Sequence, residues 1–189
     1  MKKLLLMFMA AVLILTACRS SSKNDTMLVR PSEFSEETKS ILNLFDDELM
    51  FFDFMVDETV KSFSISIWVF KDGNWSEGSG IRGDMDGLKK QIAIRIGEDY
   101  DLYEITENGH NKYNFPKVGT DFSLSTAIAS NKISQNTSIV LNKEIPLFVK
   151  VGTDKNRLKA DIMGDFRNID CNAGVAITVT FSDKTADNN

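Results

Sequence analysis

The chain has 189 residues and a formal net charge of −5 at pH 7, with 27 acidic residues against 22 lysines and arginines. Nucleic acids and anionic lipid surfaces bind clustered basic residues; the acidic balance and the absence of such a cluster argue against both as the main partner. A chain of this length is expected to form one ordinary domain, because it can bury about 70% of the surface that its unfolded form exposes.

The first residues have the layout of a secretory signal. Two lysines precede an apolar run over residues 4–15, and two small residues separate this run from Cys18. A membrane-spanning helix needs about 20 apolar residues to cross the hydrocarbon core. The run is shorter than that, and its flanks are those of a cleavable signal peptide.

The four residues Leu15-Thr16-Ala17-Cys18 resemble the lipobox of bacterial lipoproteins. The resemblance implies that the Cys18 sulfur receives a diacylglyceryl group, that residues 1–17 are removed, and that the protein is anchored on the extracytoplasmic face of a membrane of the cell envelope. Each buried methylene contributes about 0.8 kcal/mol, so two acyl chains hold the protein on that membrane. Inner and outer membranes both remain open, and a secreted protein with an accidental cysteine is the alternative.

A flexible tether is predicted after the anchor, since residues 19–25 are small and polar and have nothing to bury. We assign the tether to residues 18–32 and a single domain to residues 33–189. Removal of two lysines with the signal would change the net charge from −5 to −7.

One short amphipathic helix is predicted at the start of the domain, over about residues 36–45. Ser35 is a suitable N-cap, and acidic residues follow it in the first turn, where the helix dipole favours them. Ile41, Leu42 and Phe45 fall on one side at helical spacing. The acidic residues 46–48 are unfavourable at a helix C-terminus, so the helix is expected to stop there.

From Leu49 onward the hydrophobic period changes to two residues, which predicts strands. Over residues 61–70 the apolar and serine positions alternate strictly, which requires a strand with one buried face. Residues 49–56 are apolar on both faces, with Phe51 and Met55 opposite the main apolar set, so this strand is expected to be covered on both sides. The short link over residues 57–59 favours a hairpin between the two strands.

Further runs with the same period predict an antiparallel sheet protein. The apolar residues of these runs, each set assigned to one face, are Ile92, Ile94 and Ile96; Phe122, Leu124 and Ile128; Ile145, Leu147, Val149 and Val151; and Val175, Ile177, Val179 and Phe181. Turn signals separate the runs, and no helical segment is long enough for parallel connections. The predicted fold is therefore all-β, an antiparallel β-sandwich or jelly roll, with a glycine-rich irregular loop over residues 78–87.

No catalytic or metal-binding motif stands out. His110, the one histidine, lies in a polar turn without a nucleophile motif beside it, and Cys171 is predicted to be a buried, unreactive thiol. A zinc cluster is excluded by the cysteine and histidine counts. The segment over residues 84–87 has two of the acidic positions of a calcium loop but lacks the remaining ligands. No cofactor and no metal are predicted.

Aromatic residues supply the one candidate ligand surface, formed by Trp68, Phe70 and Trp75. Trp68 and Phe70 point away from the predicted core face of their strand, and Trp75 follows the next turn. Large aromatic side chains on an outer face need a partner. Either the N-terminal helix covers them, or they form an exposed platform for a sugar or a protein.

Two functions are compatible with these features. The first is a non-catalytic, membrane-anchored binding module whose partner is a carbohydrate or an envelope protein. The alternative is a glycosidase-like envelope hydrolase that uses a carboxylate pair, which would require two carboxyl groups about 5 to 9.5 Å apart in an open cleft. A structural partner of a larger envelope assembly shares every feature of the binding module.

Overall fold

The computed structural model describes residues 27–45, 48–117, 121–158 and 161–188. These residues form two antiparallel sheets that pack face to face, so the predicted all-β sandwich is confirmed. The predicted signal peptide, Cys18, the tether up to residue 26 and the acidic residues 46–47 lie outside the described residues. Among the described residues, no helix has the length and apolar character needed to cross a bilayer.

The two sheets contain eleven strands. In spatial order, the six-stranded sheet contains β7 (Gly109–Phe115), β6 (Tyr100–Thr106), β5 (Lys89–Ile96), β2 (Glu48–Met55), β1 (Leu28–Pro31) and β9 (Thr137–Ser138). The five-stranded sheet contains β4 (Asn74–Asp84), β3 (Ser62–Lys71), β11 (Ala173–Ser182), β10 (Ile145–Thr153) and β8 (Ala127–Lys132). One α-helix, α1 (Glu36–Leu42), and two short 3-10 helices, Phe166–Asn168 and Ala186–Asn188, complete the described elements.

The main core lies between the sheets and contains the alternating apolar residues of β2, β3, β5 and β11, as predicted. Phe54 of β2 contacts rings of the opposite sheet edge to face, with centroids 6.2 Å from Phe63 and 5.1 Å from Phe181. Offset and edge-to-face ring pairs of this kind add to the free energy gained from burial. The two sheets are therefore joined at their centre by phenylalanine contacts.

The domain begins earlier than predicted. Leu28–Pro31 form β1, which pairs with β2 and β9, so the tether assignment to residues 18–32 is wrong at its C-terminal end. Val29 is fully buried in the main core. Four residues are too few to show a two-residue period, so periodicity could not identify this strand.

The predicted hairpin between residues 49–56 and 61–70 is wrong. β2 pairs with β1 and β5, whereas β3 pairs with β4 and β11 in the other sheet. The link over residues 57–59 therefore carries the chain from one sheet to the other. Phe52 and Phe54 of β2 and Phe63 of β3 point into the same core, and this arrangement gives the same alternating pattern as a hairpin.

The glycine-rich stretch assigned to an irregular loop is mostly a strand, because β4 includes residues 74–84. The predicted turn at Asp72 and Gly73 connects β3 to β4, and both residues have positive φ, 53° and 83°. Positive φ at both central residues is typical of two-residue hairpin turns, because the twist of such a turn matches the right-handed twist of the strands it joins. Most β4 side chains are exposed, so the strand lacks the apolar alternation that identified its neighbours.

The single face assigned to Ile145, Leu147, Val149 and Val151 is also wrong. The register of β10 shifts between Pro146 and Phe148, so the first two residues face the main core and the last two face the opposite side. The run from Phe122 to Ile128 is not one strand either. β8 begins only at Ala127, and Leu124 is 77% exposed.

Helix α1 begins as predicted, with Ser35 as its N-cap and its hydroxyl accepting from the Thr38 amide at 3.3 Å. It ends at Leu42 and buries none of its residues; Ile41 is 59% exposed. Phe34, which directly precedes the N-cap residue, packs edge to face on Phe51 of β2 with ring centroids 5.0 Å apart. This contact places the segment beside the six-stranded sheet, away from Trp68 and Phe70.

Candidate functional site

The aromatic residues predicted to bind a ligand are covered by a different segment from the one expected. Phe70 and Trp75 pack with Phe166, which belongs to the long connection between β10 and β11. The Trp75 ring centroid lies 5.5 Å from that of Phe70 and 4.8 Å from that of Phe166. The expectation that the N-terminal helix covers this face is wrong, and Phe70 and Trp75 form part of a second core.

Trp68 lies at the border of this second core and is half-buried. Its Nε1 donates to the Thr178 hydroxyl at 3.2 Å, and the Arg167 guanidinium stacks 4.1 Å from the ring centroid. Glu144 fixes that guanidinium by accepting two hydrogen bonds, from Nη1 at 2.7 Å and from Nη2 at 3.1 Å. Among the three predicted residues, Trp68 alone also lines an open groove, whose other walls are mostly residues of β3 and β4, with Glu144 and with Thr180 of β11.

Cys171 belongs to the second core and is buried, as predicted. Burial raises the pKa of its thiol to about 11, and the negative charge of Asp170 acts in the same direction. A nucleophilic cysteine requires a lowered pKa. Cys171 therefore acts as a small apolar side chain in this core.

An apolar groove lies on the outer face of the six-stranded sheet, where the sequence predicted no site. We name it the sheet groove; its volume is about 400 Å³, and it is lined by Phe45, Leu49, Phe51, Ala93, Arg95, Tyr103, Ile105 and His110. Volumes of about 300 to 1,000 Å³ with mostly apolar walls and a few polar groups are typical of small-molecule sites.

The register of the strands explains the shape of the sheet groove. Ala93 of β5 lies between Phe51 of β2 on one side and Tyr103 of β6 on the other. A methyl group between two aromatic rings leaves a hollow that a larger side chain would fill. Phe45, which follows α1 and is 58% exposed, forms part of the wall.

One end of the sheet groove carries a cluster of charged side chains centred on Asp101. Its carboxylate accepts from Asn114 at 2.8 Å and from Arg95 at 3.4 Å, and it pairs with the Lys112 ammonium at 3.1 Å. Burial tends to raise the pKa of Asp101, but hydrogen bonds from Asn114 and Lys112 together with the Lys112 charge outweigh it, so the pKa is lowered. The hydrogen bond to Asp101 correspondingly raises the pKa of Lys112.

Arg95 and Lys112 each form an ion pair with Asp101, and both cations are 44% exposed at the side chain. A carboxylate that serves as a general acid needs a raised pKa. The pKa of Asp101 is lowered, so this carboxylate favours its ionised form and does not suit that role. Of the two cations, Arg95 also lines the wall of the apolar groove.

His110 lies at the opposite wall of the sheet groove. It pairs with Ile105 in the β6–β7 hairpin, and its ring packs edge to face with Tyr103, with centroids 5.5 Å apart. His110 is exposed, but the prediction that it lies in a turn is wrong, because it belongs to strand β7. Its imidazole offers one donor and one acceptor at the edge of an otherwise apolar surface.

Within the described part of the chain, no three histidine, cysteine, aspartate or glutamate side chains converge as metal ligands. At the predicted fragment of a calcium loop, an Asp84 side-chain oxygen accepts from the Ala186 amide at 2.7 Å. No family model, no characterised protein and no solved structure matches the chain.

Sequence reasoning missed the sheet groove, although one signal pointed to it. Phe51 is an apolar residue on the outer face of β2, opposite the face that enters the core. β6 is likewise apolar on both faces, with Tyr103 and Ile105 on one face and Leu102 on the other. Apolar residues on both faces of neighbouring strands predict a surface that something covers. The pairing of β2 with β5, which brings these residues together, could not be derived from the strand pattern alone.

Proposed function

We propose that this protein is an exported lipoprotein, anchored through Cys18 on the extracytoplasmic face of a membrane, whose sandwich domain is a non-catalytic binding module. The observation that carries the binding part is the sheet groove. Outer faces of antiparallel sheets are normally polar, but here Leu49, Phe51 and Ile105 surround a hollow of about 400 Å³. An apolar hollow on a solvent-facing sheet supports a ligand-binding role.

The ligand that fits the groove best is an acyl chain with an anionic head group. The apolar floor suits the chain, and the partly exposed Arg95 guanidinium, which lines the groove, can donate hydrogen bonds to a carboxylate or phosphate at one end. Charge-assisted hydrogen bonds from a guanidinium to such a group are among the strongest in proteins. A carbohydrate would require more hydrogen-bonding groups than the groove provides.

The single histidine makes a direct test possible. His110 lines the groove, so its ring-proton NMR signals report occupancy without overlap in an untagged protein. Dodecanoate and dodecylammonium, titrated separately into the chain from residue 19 onward, share the apolar part and differ in charge. We expect dodecanoate to shift the His110 signals in a saturable way and dodecylammonium to have a much smaller effect.

Three variants connect the signal to the groove. Ala93→Leu fills the hollow and should abolish dodecanoate binding, and Arg95→Gln should weaken it about tenfold or more, because a hydrogen bond to a charged group is lost. Arg157→Gln, which neutralises an exposed arginine outside the groove, is the matched control. Equal effects of both amphiphiles would contradict the anionic selectivity, and no saturable shift with either would overturn the assignment of the site.

The anchor is tested independently. Mass spectrometry of the protein isolated from its membrane should find an amino-terminal peptide that begins at Cys18 and carries a diacylglyceryl group. The Cys18→Ser variant should yield no protein that is both lipid-modified and cleaved at this position. An intact leader, or an unmodified amino terminus at another residue, would overturn this part of the proposal and leave the groove experiment unaffected.

A further inference from the structure

β4 forms one edge of the five-stranded sheet, and the 3-10 helix Ala186–Asn188 contacts its end at Asp84. With 11 residues, β4 is the longest of the described edge strands; β7, β8 and β9 have 7, 6 and 2 residues. Its described hydrogen-bonded strand neighbour is β3, on one side. Natural edge strands are usually protected by shortness, lysines, prolines or strong bulges, because unpaired backbone groups recruit further strands.

The sequence of β4, NWSEGSGIRGD, contains neither lysine nor proline. Its three glycines, Gly78, Gly80 and Gly83, lower the bulk of side chains along the edge. The strand has one irregularity, since Gly78 has no partner in the register between β3 and β4. That irregularity also changes which side chains share a face.

Glu77 and Arg82 lie on the same outer face because of this bulge. They are five positions apart in the sequence, so a regular strand would place them on opposite faces. In the observed register, Glu77 is opposite Trp68 and Arg82 is opposite Ser64, and these two β3 residues share the outer face. The edge therefore presents one negative and one positive side chain on either side of a glycine-rich centre.

This arrangement is complementary to itself. When two copies of β4 align antiparallel with Glu77 of one copy opposite Arg82 of the other, the two-fold axis places the second Arg82 opposite the second Glu77. With Gly78 bulged out in each copy, the axis then passes beside Gly80, which lies opposite Gly80 of the other copy. Oppositely charged cross-strand pairs stabilise such a ladder, and a two-fold interface repeats each pair.

We propose that the β4 edge is a self-association surface, through which two copies of this chain join their five-stranded sheets into one continuous sheet. The interface goes beyond the proposed binding function, since the sheet groove lies on the other sheet. Backbone hydrogen bonds supply the attraction, and the Glu77–Arg82 pairs set the register.

The test is a charge-exchange experiment followed by sedimentation velocity over a micromolar to millimolar concentration series. The chain from residue 19 onward keeps every described residue, and these share one sandwich core. We expect a concentration-dependent dimer for the unaltered chain. Glu77→Arg and Arg82→Glu should each weaken it roughly tenfold, because both cross-strand pairs change from opposite to like charge.

Mixing the two single variants provides the decisive measurement. One variant then presents two arginines and the other two glutamates, so the mixture should form a heterodimer at least as readily as the unaltered chain dimerises. Glu98→Arg, in the β5–β6 turn, changes the net charge by the same amount and should leave the dimer unchanged. Thermal unfolding of each variant establishes that it is folded.

Two results would overturn the proposal. One is a chain that stays monomeric throughout the concentration series. The other is a dimer that both single variants leave intact, because its interface would then lie elsewhere. Hydrogen exchange adds a separate readout, since β4 amides should become protected as the concentration rises, whereas those of the other edge strand β8 should not.

Discussion

Replacement of Phe166 by alanine tests the finding that a connecting segment, and not the N-terminal helix, covers the outer aromatic face. Phe166 is 1% exposed and contacts Trp75 edge to face. Phe→Ala changes in cores cost about 3 to 5 kcal/mol. Exposed residues flank Phe166, so its segment can settle into the void, and we expect a loss near the lower limit, about 3 kcal/mol.

This loss converts into a measurable change in melting temperature. In domains of 150 to 250 residues, about 1 kcal/mol corresponds to roughly 2 to 4 °C, so Phe166→Ala should melt about 6 to 12 °C lower. Leu124→Ala is the control, because a leucine that is 77% exposed should change the free energy of unfolding by no more than about 0.5 kcal/mol.

Tryptophan fluorescence gives the local counterpart of the unfolding measurement. Both tryptophans of the chain, Trp68 and Trp75, contact the second core. Loss of the Phe166 ring should expose Trp75, shift its emission to longer wavelength and increase quenching by acrylamide under native conditions. Unchanged quenching together with a loss below about 1 kcal/mol, far less than removal of a buried phenylalanine costs, would refute the packing described here.

Three further predictions concern single groups. The pKa of Asp101 lies below its ordinary 3.8, so the ionised carboxylate stabilises the fold above that pH. This stabilisation is lost as the pH falls through the lowered pKa, and Asp101→Asn removes it at every pH. Urea unfolding should show the variant about 1 to 3 kcal/mol less stable at pH 7 and less sensitive to acid than the unaltered chain. Cys171, with its thiol pKa raised by burial, should react with thiol reagents only after unfolding, and its contribution to stability should fall as the pH rises from 9.0 to about 11. Gly80→Ala would place a Cβ 2.3 Å from the Ile65 carbonyl oxygen and should cost about 1 to 3 kcal/mol by thermal unfolding. Gly78→Ala, with its nearest contact at 3.5 Å, is the matched control.

The sequence predicted those strands whose surroundings are uniform along their length. The alternating apolar residues of β3, β5 and β11 that lie in the main core share one face of each strand, so their two-residue period is unbroken. β10 changes the face that it buries at a bulge, and its apolar pattern continues through the change. A pattern of apolar residues indicates that each side chain is buried, but it does not indicate in which of the two cores that side chain lies.

The candidate site was less predictable for a related reason. The sequence identified Trp68 as an unusual outer-face residue, but its cover comes from a segment around Phe166 that has no regular period. The sheet groove depends on Ala93 lying between Phe51 and Tyr103, and that neighbourhood exists only after three strands have paired in the right order. Strand order follows from long-range pairing, to which local pattern contributes little.

The position of β11 has a consequence for the order in which the sheets can form. This strand, the last of those described, occupies the centre of the five-stranded sheet, between β3 and β10. Until it emerges from the ribosome, the β3–β4 hairpin and the β8–β10 pair have nothing to join them, and isolated pairs of strands are marginal in water. Distant pairings of this kind also form slowly. Completion of the five-stranded sheet must therefore wait for β11, and a delay of this kind would suit the export that we propose, since a secretion channel admits an unfolded chain.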